Sequence, residues 1–184
     1  MNSPLRWLHC SLGWVAWAAQ MEGVTWVSWD RSRDELEGRF AHQYRGERQR
    51  LVIPGWEAPE SWSEALWLAL EQPLAPRPEV PLYMVGTVFQ RAVWEALVTI
   101  PPGQLRTYGA IAAQVGRPRA VRAVGSACGA NPLPFLVPCH RVVAAGGKWG
   151  GFGLGVALKQ ILLEREGVTP QAATNTAGHV RMGD

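Results

Sequence analysis

Three cysteines in 184 residues, Cys10, Cys128 and Cys139, are too sparse and too odd in number for a disulfide framework. None stands at the CxxC spacing of a zinc site, and such usage fits a reducing cytoplasm. No apolar run reaches the ~18 residues of a membrane span. Trp7 to Ala19 comes nearest and imitates a short signal peptide, but His9, Ser11 and Gly13 interrupt it and a strand fits better. Metal ligands do not cluster either: His9 and Cys10 are adjacent, and His42 is far away. Gly147-Lys148 is followed by Trp149 where a phosphate-binding loop needs Ser or Thr, and Gly151, Gly153 and Gly155 do not open a dinucleotide-binding unit. Neither metal nor cofactor is expected.

The most pointed absence is acidic. Between Glu95 and Glu164 there is no Asp or Glu, while Arg106, Arg117, Arg119, Arg122, Arg141, Lys148 and Lys159 all fall in that gap. Residues 1–85 hold 8 basic and 11 acidic side chains, a net of −3; residues 86–184 hold 10 and 4, a net of +6, which together give the formal +3. A one-signed stretch of this length points to a polyanionic partner, against the plainer alternative of a solvated surface.

What is present is apolar and aromatic. At 47% hydrophobic the chain is globular, long enough for one large domain or two small ones. Eight of its ten tryptophans precede residue 86, where core packing is their expected work. There Gly13 to Ala19 and Val24 to Trp29 read as strands around a turn at Gln20–Gly23. Arg31 to Tyr44 reads as a polar helix and Arg50 to Ile53 as a short third strand. Ser61-Trp62-Ser63-Glu64 has the form of a capping box opening a helix through Leu70, with Trp62, Leu66 and Leu70 on one face. Prolines 73, 76, 78 and 81 mark a stiff linker over about 72–81, after which Leu82 to Val85 can add a strand.

From residue 86 the pattern turns helical. Thr87-Val88-Phe89-Gln90 is a second capping box, beginning a helix to about Thr99 that aligns Phe89, Val93, Leu97 and Ile100, and Pro101-Pro102-Gly103 stops it. Thr107 caps a helix from Tyr108 to Val115, Gly116-Arg117-Pro118 turns the chain, and Arg119 to about Ala130 forms the next helix. This is the outline of a helix-turn-helix, shared with a plain helical corner. The second helix is built from Ala120, Ala123, Gly125, Ser126, Ala127, Gly129 and Ala130, none of which reaches a base edge bidentately. Small residues let a backbone approach closely, either to a widened minor groove or to another helix. Arg122 is the one long side chain placed to probe a duplex. A last helix, Val156 to Glu166, ends at Gly167, and residues 170–184 read as a disordered tail.

Pro138-Cys139-His140-Arg141-Val142 sets a potential nucleophile beside a potential base, at an expected strand end before a glycine-rich loop, Gly146 to Gly155. In extended chain, neighbouring side chains point to opposite faces, so His140 would reach the Cys139 proton through a water or after a local turn. A free thiol, with a pKa of about 8.5, is only a few per cent thiolate at neutral pH, so such a relay would raise the reactive fraction. The acids left to orient the imidazole are Glu164 and Glu166, apart from the distant Glu95 and Asp184.

In order along the chain, Gly86-Thr87-x-Phe89-Gln90, Val93-Trp94, Ile100-Pro101-x-Gly103, Thr107-Tyr108-Gly109, Arg122-Ala123-Val124-Gly125, Asn131-Pro132, Val137-Pro138-Cys139-His140-Arg141-Val142 and Glu166-Gly167 resemble the O6-alkylguanine-DNA alkyltransferases, the methylated-DNA–protein-cysteine methyltransferase family. The resemblance implies an α+β chain: residues 1–85 similar in outline to a ribonuclease-H-like α/β domain, and 86–169 similar to a mostly helical DNA-binding and alkyl-acceptor domain with a winged-helix-like helix-turn-helix. It implies repair of double-stranded DNA by a monomer working through the minor groove, in the cytoplasm or, in a bacterium, on the nucleoid. The target guanine would leave the stack and Cys139 would take its O6-alkyl group irreversibly, once per molecule, with O4-alkylthymine as a second conceivable substrate. His140 would take the thiol proton through a water, Glu166 would orient it, and Tyr108 would serve the purine ring. Arg122 would fill the vacated space, with Ala123, Gly125, Ser126, Ala127, Thr107, Arg106 and Arg119 along the DNA. Asn131 would act as hinge, and Pro134, Val142, Phe152 and Gly153 would wall the pocket. Gly153 falls where some members carry a serine, leaving only a backbone amide to meet the guanine oxygen. The zinc ligands of some members are not matched. A related class that binds damaged DNA without reacting lacks the cysteine, so Cys139 argues for the enzyme.

Overall fold

A computed structural model of the chain describes residues 5–45 and 57–168. Arg50–Ile53 and the tail from residue 170 lie outside the described residues. Helix and sheet are mixed, and the chain divides into two compact units: residues 1–85 with Pro132–Leu136, and residues 86–131 with 137–184. Among the described residues no helix is long and apolar enough to cross a membrane.

In the first unit, β1 (Arg6–Cys10), β2 (Gly13–Gln20) and β3 (Gly23–Asp30) form an antiparallel meander in that order. Arg6 pairs with Trp17 and Trp14 with Asp30, and the β2–β3 register shifts between Ala18 and Ala19. Central β2 is covered on both faces, so Val15, Ala16, Trp17 and Ala18 are all fully buried. Helix α1 (Arg33–Gln43) adds Leu36 and Phe40 to a core with Ala16, Ala18 and Trp26. Tryptophan thus serves the core here, as the sequence suggests.

Helix α2 (Glu60–Glu71) buries Trp62, Leu66 and Leu70 as expected, but not through a capping box at Ser61. It starts earlier, behind Pro59 (φ −55), and among the described residues no side chain caps it. The fixed φ of proline is already suited to a helix start, so both serines fall within the first turn. Leu82 to Val85 likewise forms no strand. Leu82 makes a single parallel bridge to Val24, flanked by Val24 N–H to Pro81 C=O and Tyr83 N–H to Val24 C=O, both 2.9 Å. Pro81 has no N–H with which to extend the ladder.

In the second unit, the Thr87 capping box forms in both directions: Gln90 N–H donates to Thr87 Oγ1 (3.2 Å) and Thr87 N–H to Gln90 Oε1 (2.9 Å). It starts α3 (Val88–Val98), which buries Val93, Trp94, Ala96 and Leu97. Ile100 is buried just beyond, while Phe89 is half-exposed. Trp94 Nε1 donates to Ala127 C=O of a later helix at 2.8 Å. Two-residue strands β4 (Arg106–Thr107) and β5 (Val142–Val143) pair in parallel, bringing the start of α4 (Tyr108–Gln114) beside the segment that carries Cys139.

Two helix ends decide where functional groups point. Helix α4 closes on Gly116 (φ +70), with Arg117 N–H to Ala112 C=O (2.8 Å) and Gly116 N–H to Ala113 C=O (3.0 Å), a Schellman ending that turns the chain into α5 (Val121–Gly129). Helix α6 (Val156–Arg165) closes the same way on Gly167 (φ +76): Val168 N–H meets Leu163 C=O and Gly167 N–H meets Glu164 C=O, both 2.9 Å. The hydrophobic contact that accompanies this motif is present, since Leu163 and Val168 share a buried cluster with Leu105 and Val143. Glu166 is therefore the C-cap, fixed at a helix end.

Candidate active site

Cys139 does not sit on a strand. Pro138 (φ −79, ψ 62) bends the chain, and Cys139–Arg141 forms one 3₁₀ turn before β5. Cys139 N–H reaches back to Val137 C=O (2.8 Å) and Arg141 N–H to Pro138 C=O (3.0 Å). At about three residues per turn, the side chains of 139, 140 and 141 fan out in three directions rather than alternating. The thiol faces a cavity, and the imidazole and guanidinium point into the protein.

The cavity holds about 550 Å³. Tyr108 of α4, Val121, Arg122, Gly125, Cys128 and Gly129 of the α5 stretch, and Gly151, Phe152 and Gly153 of the glycine-rich loop surround Cys139. Cys139 is only 5% exposed. Burial pushes its pKa up, opposed by a hydrogen bond from Asn131 and by the charge of Lys159. Asn131 Nδ2 donates to Cys139 Sγ (3.2 Å) and to Val137 C=O (2.8 Å), linking the end of α5 to the active turn.

Behind the thiol lies a closed ion network. Glu166 Oε1 accepts from His140 Nε2 (2.9 Å) and from Arg141 Nη2 (2.8 Å), and Arg141 Nε spans both carboxylate oxygens at 3.0 and 3.1 Å. Glu166 Oε2 also accepts from Gly103 N–H (3.1 Å), while Arg141 Nη1 donates to Ile100 C=O (2.6 Å). All three side chains are buried. Burial alone would raise the Glu166 carboxyl; hydrogen bonds from His140 and Arg141 and their charge outweigh it and hold it at about 2. His140 moves the other way: burial lowers it, only partly offset by Glu166. An ionised Glu166 only accepts, so Nε2 of the neutral ring carries the hydrogen and Nδ1 keeps its lone pair. Nδ1 is buried, and among the described residues it has no hydrogen-bond partner.

Tyr108 Oη donates to Gly151 C=O (3.3 Å), and burial pushes its pKa up to about 12, so the phenol keeps its proton. The loop is shaped around this ring. At Gly150 (φ +67) a Cβ would stand 2.9 Å from Tyr108 Oη and Cε2, so only glycine fits. Phe152 stands edge-on to His140, with ring centroids 6.3 Å apart.

The remaining expected residues are distributed unevenly. Ala123 and Ser126 are exposed on α5 and Arg119 precedes it, also exposed; Ser126 Oγ donates to Arg122 C=O (3.2 Å). Arg106 is exposed, with Nη1 on Leu105 C=O. Thr107 is spent as a helix cap, its Oγ1 accepting from Ala110 N–H (3.1 Å). Ala127 cannot lie on an outer face: it is buried, beneath the Trp94 indole. Val142 and Pro134 do not line the cavity. Val142 is fully buried in β5, and Pro134 falls in the stretch that groups with the first unit.

Arg141 and Lys159 were to be expected on a basic surface, yet they are 2% and 0% exposed. For α6 the signal was available. Positions 158, 159, 162, 163 and 166 follow the i, i+3, i+4 spacing of a buried stripe, and Lys159 and Glu166 both fall on it. Cys128, whose pKa burial raises to about 12, lines the cavity without a motif to announce it. Among the described residues no cluster of His, Cys, Asp and Glu could hold a metal ion.

A family profile described as "6-O-methylguanine DNA methyltransferase, DNA binding domain" matches residues 88–168. The methylated-DNA–protein-cysteine methyltransferase of Salmonella typhimurium is 42% identical over 141 residues, 77% of this chain and 81% of that protein. The protein of the same name from Methanosarcina acetivorans is 39% identical over 137 residues, 73% and 88% of the two chains. Among solved structures, that of Mycobacterium tuberculosis O6-methylguanine methyltransferase superposes with a TM-score of 0.69 at 36% identity, covering 90% of this chain and 93% of the other. A structure of Mycobacterium tuberculosis OGT in complex with DNA gives 0.68 at 34% identity, covering 88% and 91%.

Proposed function

The chain belongs to the methylated-DNA–protein-cysteine methyltransferase family, and from that premise we propose how its own residues carry out the transfer. It is a DNA-binding repair protein and a methyltransferase that reverses alkylation damage directly, moving the alkyl group of O6-alkylguanine in DNA onto one of its cysteines. The acceptor is Cys139. Supporting this choice is one observation above the others: its sulfur faces the cavity, while the imidazole of the next residue has a buried Nδ1 lone pair that no group among the described residues meets.

Burial opposes the thiolate, so the proton needs an acceptor. His140 Nδ1 takes it through a bridging water, and the imidazolium formed is stabilised by Glu166 on the other nitrogen. Arg141 keeps that carboxylate ionised, which fixes the tautomer. The sulfur then attacks the alkyl carbon in line: an S–C bond forms, the C–O6 bond breaks, and its electron pair goes to the purine. Tyr108 donates a hydrogen bond to the ring as this charge develops, and the proton taken from the thiol passes from His140 back through water to complete the restored guanine. The product thioether carries no route back to the thiol, so each molecule acts once.

The base must be extruded from the duplex to enter a cavity of this kind. Arg122 at the cavity mouth fills the gap, and the exposed small residues Ala123 and Ser126, with Gly125, allow α5 to approach the minor groove. The α4–turn–α5 unit is then a helix-turn-helix of winged-helix type, and residues 1–85 a ribonuclease-H-like domain. Thiol, base and finger all come from one chain, so a monomer suffices. Three sparse cysteines suit a reducing cytoplasm. Phosphate contacts would dominate affinity, which falls with salt and depends little on sequence.

The test is an intact-mass measurement after incubation with a duplex carrying O6-methylguanine. The expected result is a single added methyl, mapped to Cys139, and none on Cys139→Ala, which still binds DNA. An unmodified wild-type protein with a free thiol would instead mark a binder of damaged DNA.

A further inference from the structure

We propose that Lys159 is a positioning residue for the transfer: its buried ammonium pins the Trp149–Gly151 edge of the cavity to β5 and supplies the positive charge against which the Cys139 thiolate forms. The proposal rests on Cys139 being the alkyl acceptor.

Lys159 is one of only two lysines in the chain, and it is fully buried on α6. Its Nζ donates to Val142 C=O (2.6 Å), Trp149 C=O and Gly151 C=O (3.3 Å). An ammonium has three donors, and three carbonyls engage them. The pin acts where the backbone has least to hold it, because the loop from 146 to 155 is largely glycine and offers few side chains of its own. Its two accepting loop carbonyls frame Gly150, which the Tyr108 ring requires. Gly151 C=O receives the Tyr108 hydroxyl as well. Val142, at the other end of the pin, directly follows the Cys139–Arg141 turn. Nucleophile, phenol and rim are thereby referred to one side chain.

Carbonyls satisfy the donors of a buried ammonium but do not neutralise it, and an unpaired buried charge is strongly unfavourable. Lys159 forms no ion pair with a carboxylate among the described residues. The groups facing it that can become anionic are the thiols of Cys139 and Cys128, and its charge favours the thiolate at each. Tyr108 lies on the same cavity; His140, Arg141 and Glu166 form their own hydrogen-bonded set, in which the Lys159 charge adds to the burial that lowers His140. Of the two thiols, Cys139 is the one that also receives the Asn131 amide. Burial brings Lys159 itself down to about 8, which leaves it mainly protonated at neutral pH. The cation thus has a partner only while the thiolate exists, and loses it once the sulfur is alkylated to a neutral thioether.

The experiment measures the pH dependence of Cys139 alkylation by iodoacetamide, a small neutral reagent that needs no DNA, with the site read by peptide mass. Lys159→Met should move the midpoint upward and slow the reaction at neutral pH about tenfold, the lower end of the effect of an adjacent opposite charge; Cys10 serves as internal control. Lys159→Arg keeps the charge, so its midpoint should stay near wild type, while methyl transfer from DNA slows because a planar guanidinium cannot meet three carbonyls as an ammonium does. A wild-type midpoint in a Lys159→Met protein that still binds undamaged duplex would overturn the proposal. Should that variant not fold, Lys159→Gln decides by the same criterion. Methyl transfer by the wild type is measured alongside: its absence would defeat the alkyl-acceptor reading, whereas the midpoint comparison would still judge Lys159.

Discussion

Replacing Glu166 by Gln exchanges one oxygen for an NH₂ group and leaves the Arg141 guanidinium, 2% exposed, without an opposite charge. Breaking a buried pair by removing one partner costs about 3–5 kcal/mol. An independent route gives a similar figure. The carboxyl lies near 2 in the folded protein against an ordinary 4.5, a gap worth on the order of 3 kcal/mol at about 1.4 kcal/mol per pH unit. The sign follows from the depressed value: this stability is fully present above about pH 4.5 and is lost as pH falls toward 2. Urea unfolding of both proteins from about pH 7 down to about pH 3 tests it. Glu166→Gln should be less stable by roughly 3 kcal/mol at neutral pH, and the two curves should converge on acidification. Adding Arg141→Met to the variant should cost less than the sum of the two single changes, because it removes the stranded charge. A difference below about 1 kcal/mol at neutral pH, or one that does not change with pH, would refute the assignment of Glu166 as a charged, Arg141-bound carboxylate.

Two further substitutions bear on the cavity. Arg122→Ala should slow methyl transfer from duplex tenfold or more, on the order of 1.4 kcal/mol of lost stabilisation, and leave reaction with free O6-methylguanine base nearly unchanged; equal losses on both substrates would rule out insertion into the duplex. Gly150→Ala drives a Cβ into Tyr108 in a left-handed backbone conformation and should cost about 1–3 kcal/mol of stability while slowing transfer. Gly153→Ser, whose Cβ would meet nothing nearer than Gly129 C=O at 3.6 Å, should change stability by less than about 0.5 kcal/mol, and thermal melts showing the reverse order would contradict this account of the loop.

Local chemistry was legible in the sequence where a single short-range rule decided the outcome. The Thr87 box, the Thr107 cap, the turn at Gly116 and the stop at Gly167 all depend on residues within one helical turn, and they form as read. Where two local rules competed, the choice was not legible: Pro59 started α2 before Ser61 could cap it, and Pro138 bent Cys139 into a turn that its apolar neighbours had suggested was strand. Partners distant in sequence were hidden altogether. Arg141 is held by Ile100 and Glu166, 41 and 25 residues away, and Glu166 by Gly103, 63 residues away. A charge count treats such residues as surface because it has no knowledge of what they meet, and the gap in acidic residues therefore overstated the exposed basic face by two side chains, Arg141 and Lys159.

The helix ending at Glu166, Gly167 and Val168 has a consequence for the order in which the protein is made. The acid that sets the His140 tautomer lies 26 residues beyond that histidine, at a helix end closed by the Val168 N–H to Leu163 C=O bond. During synthesis the thiol and imidazole therefore leave the ribosome well before the group that arms them. A nascent chain thus carries the acceptor cysteine before the Glu166 partner of His140 exists, and the relay that offsets the burial of the thiol assembles only with the completed fold.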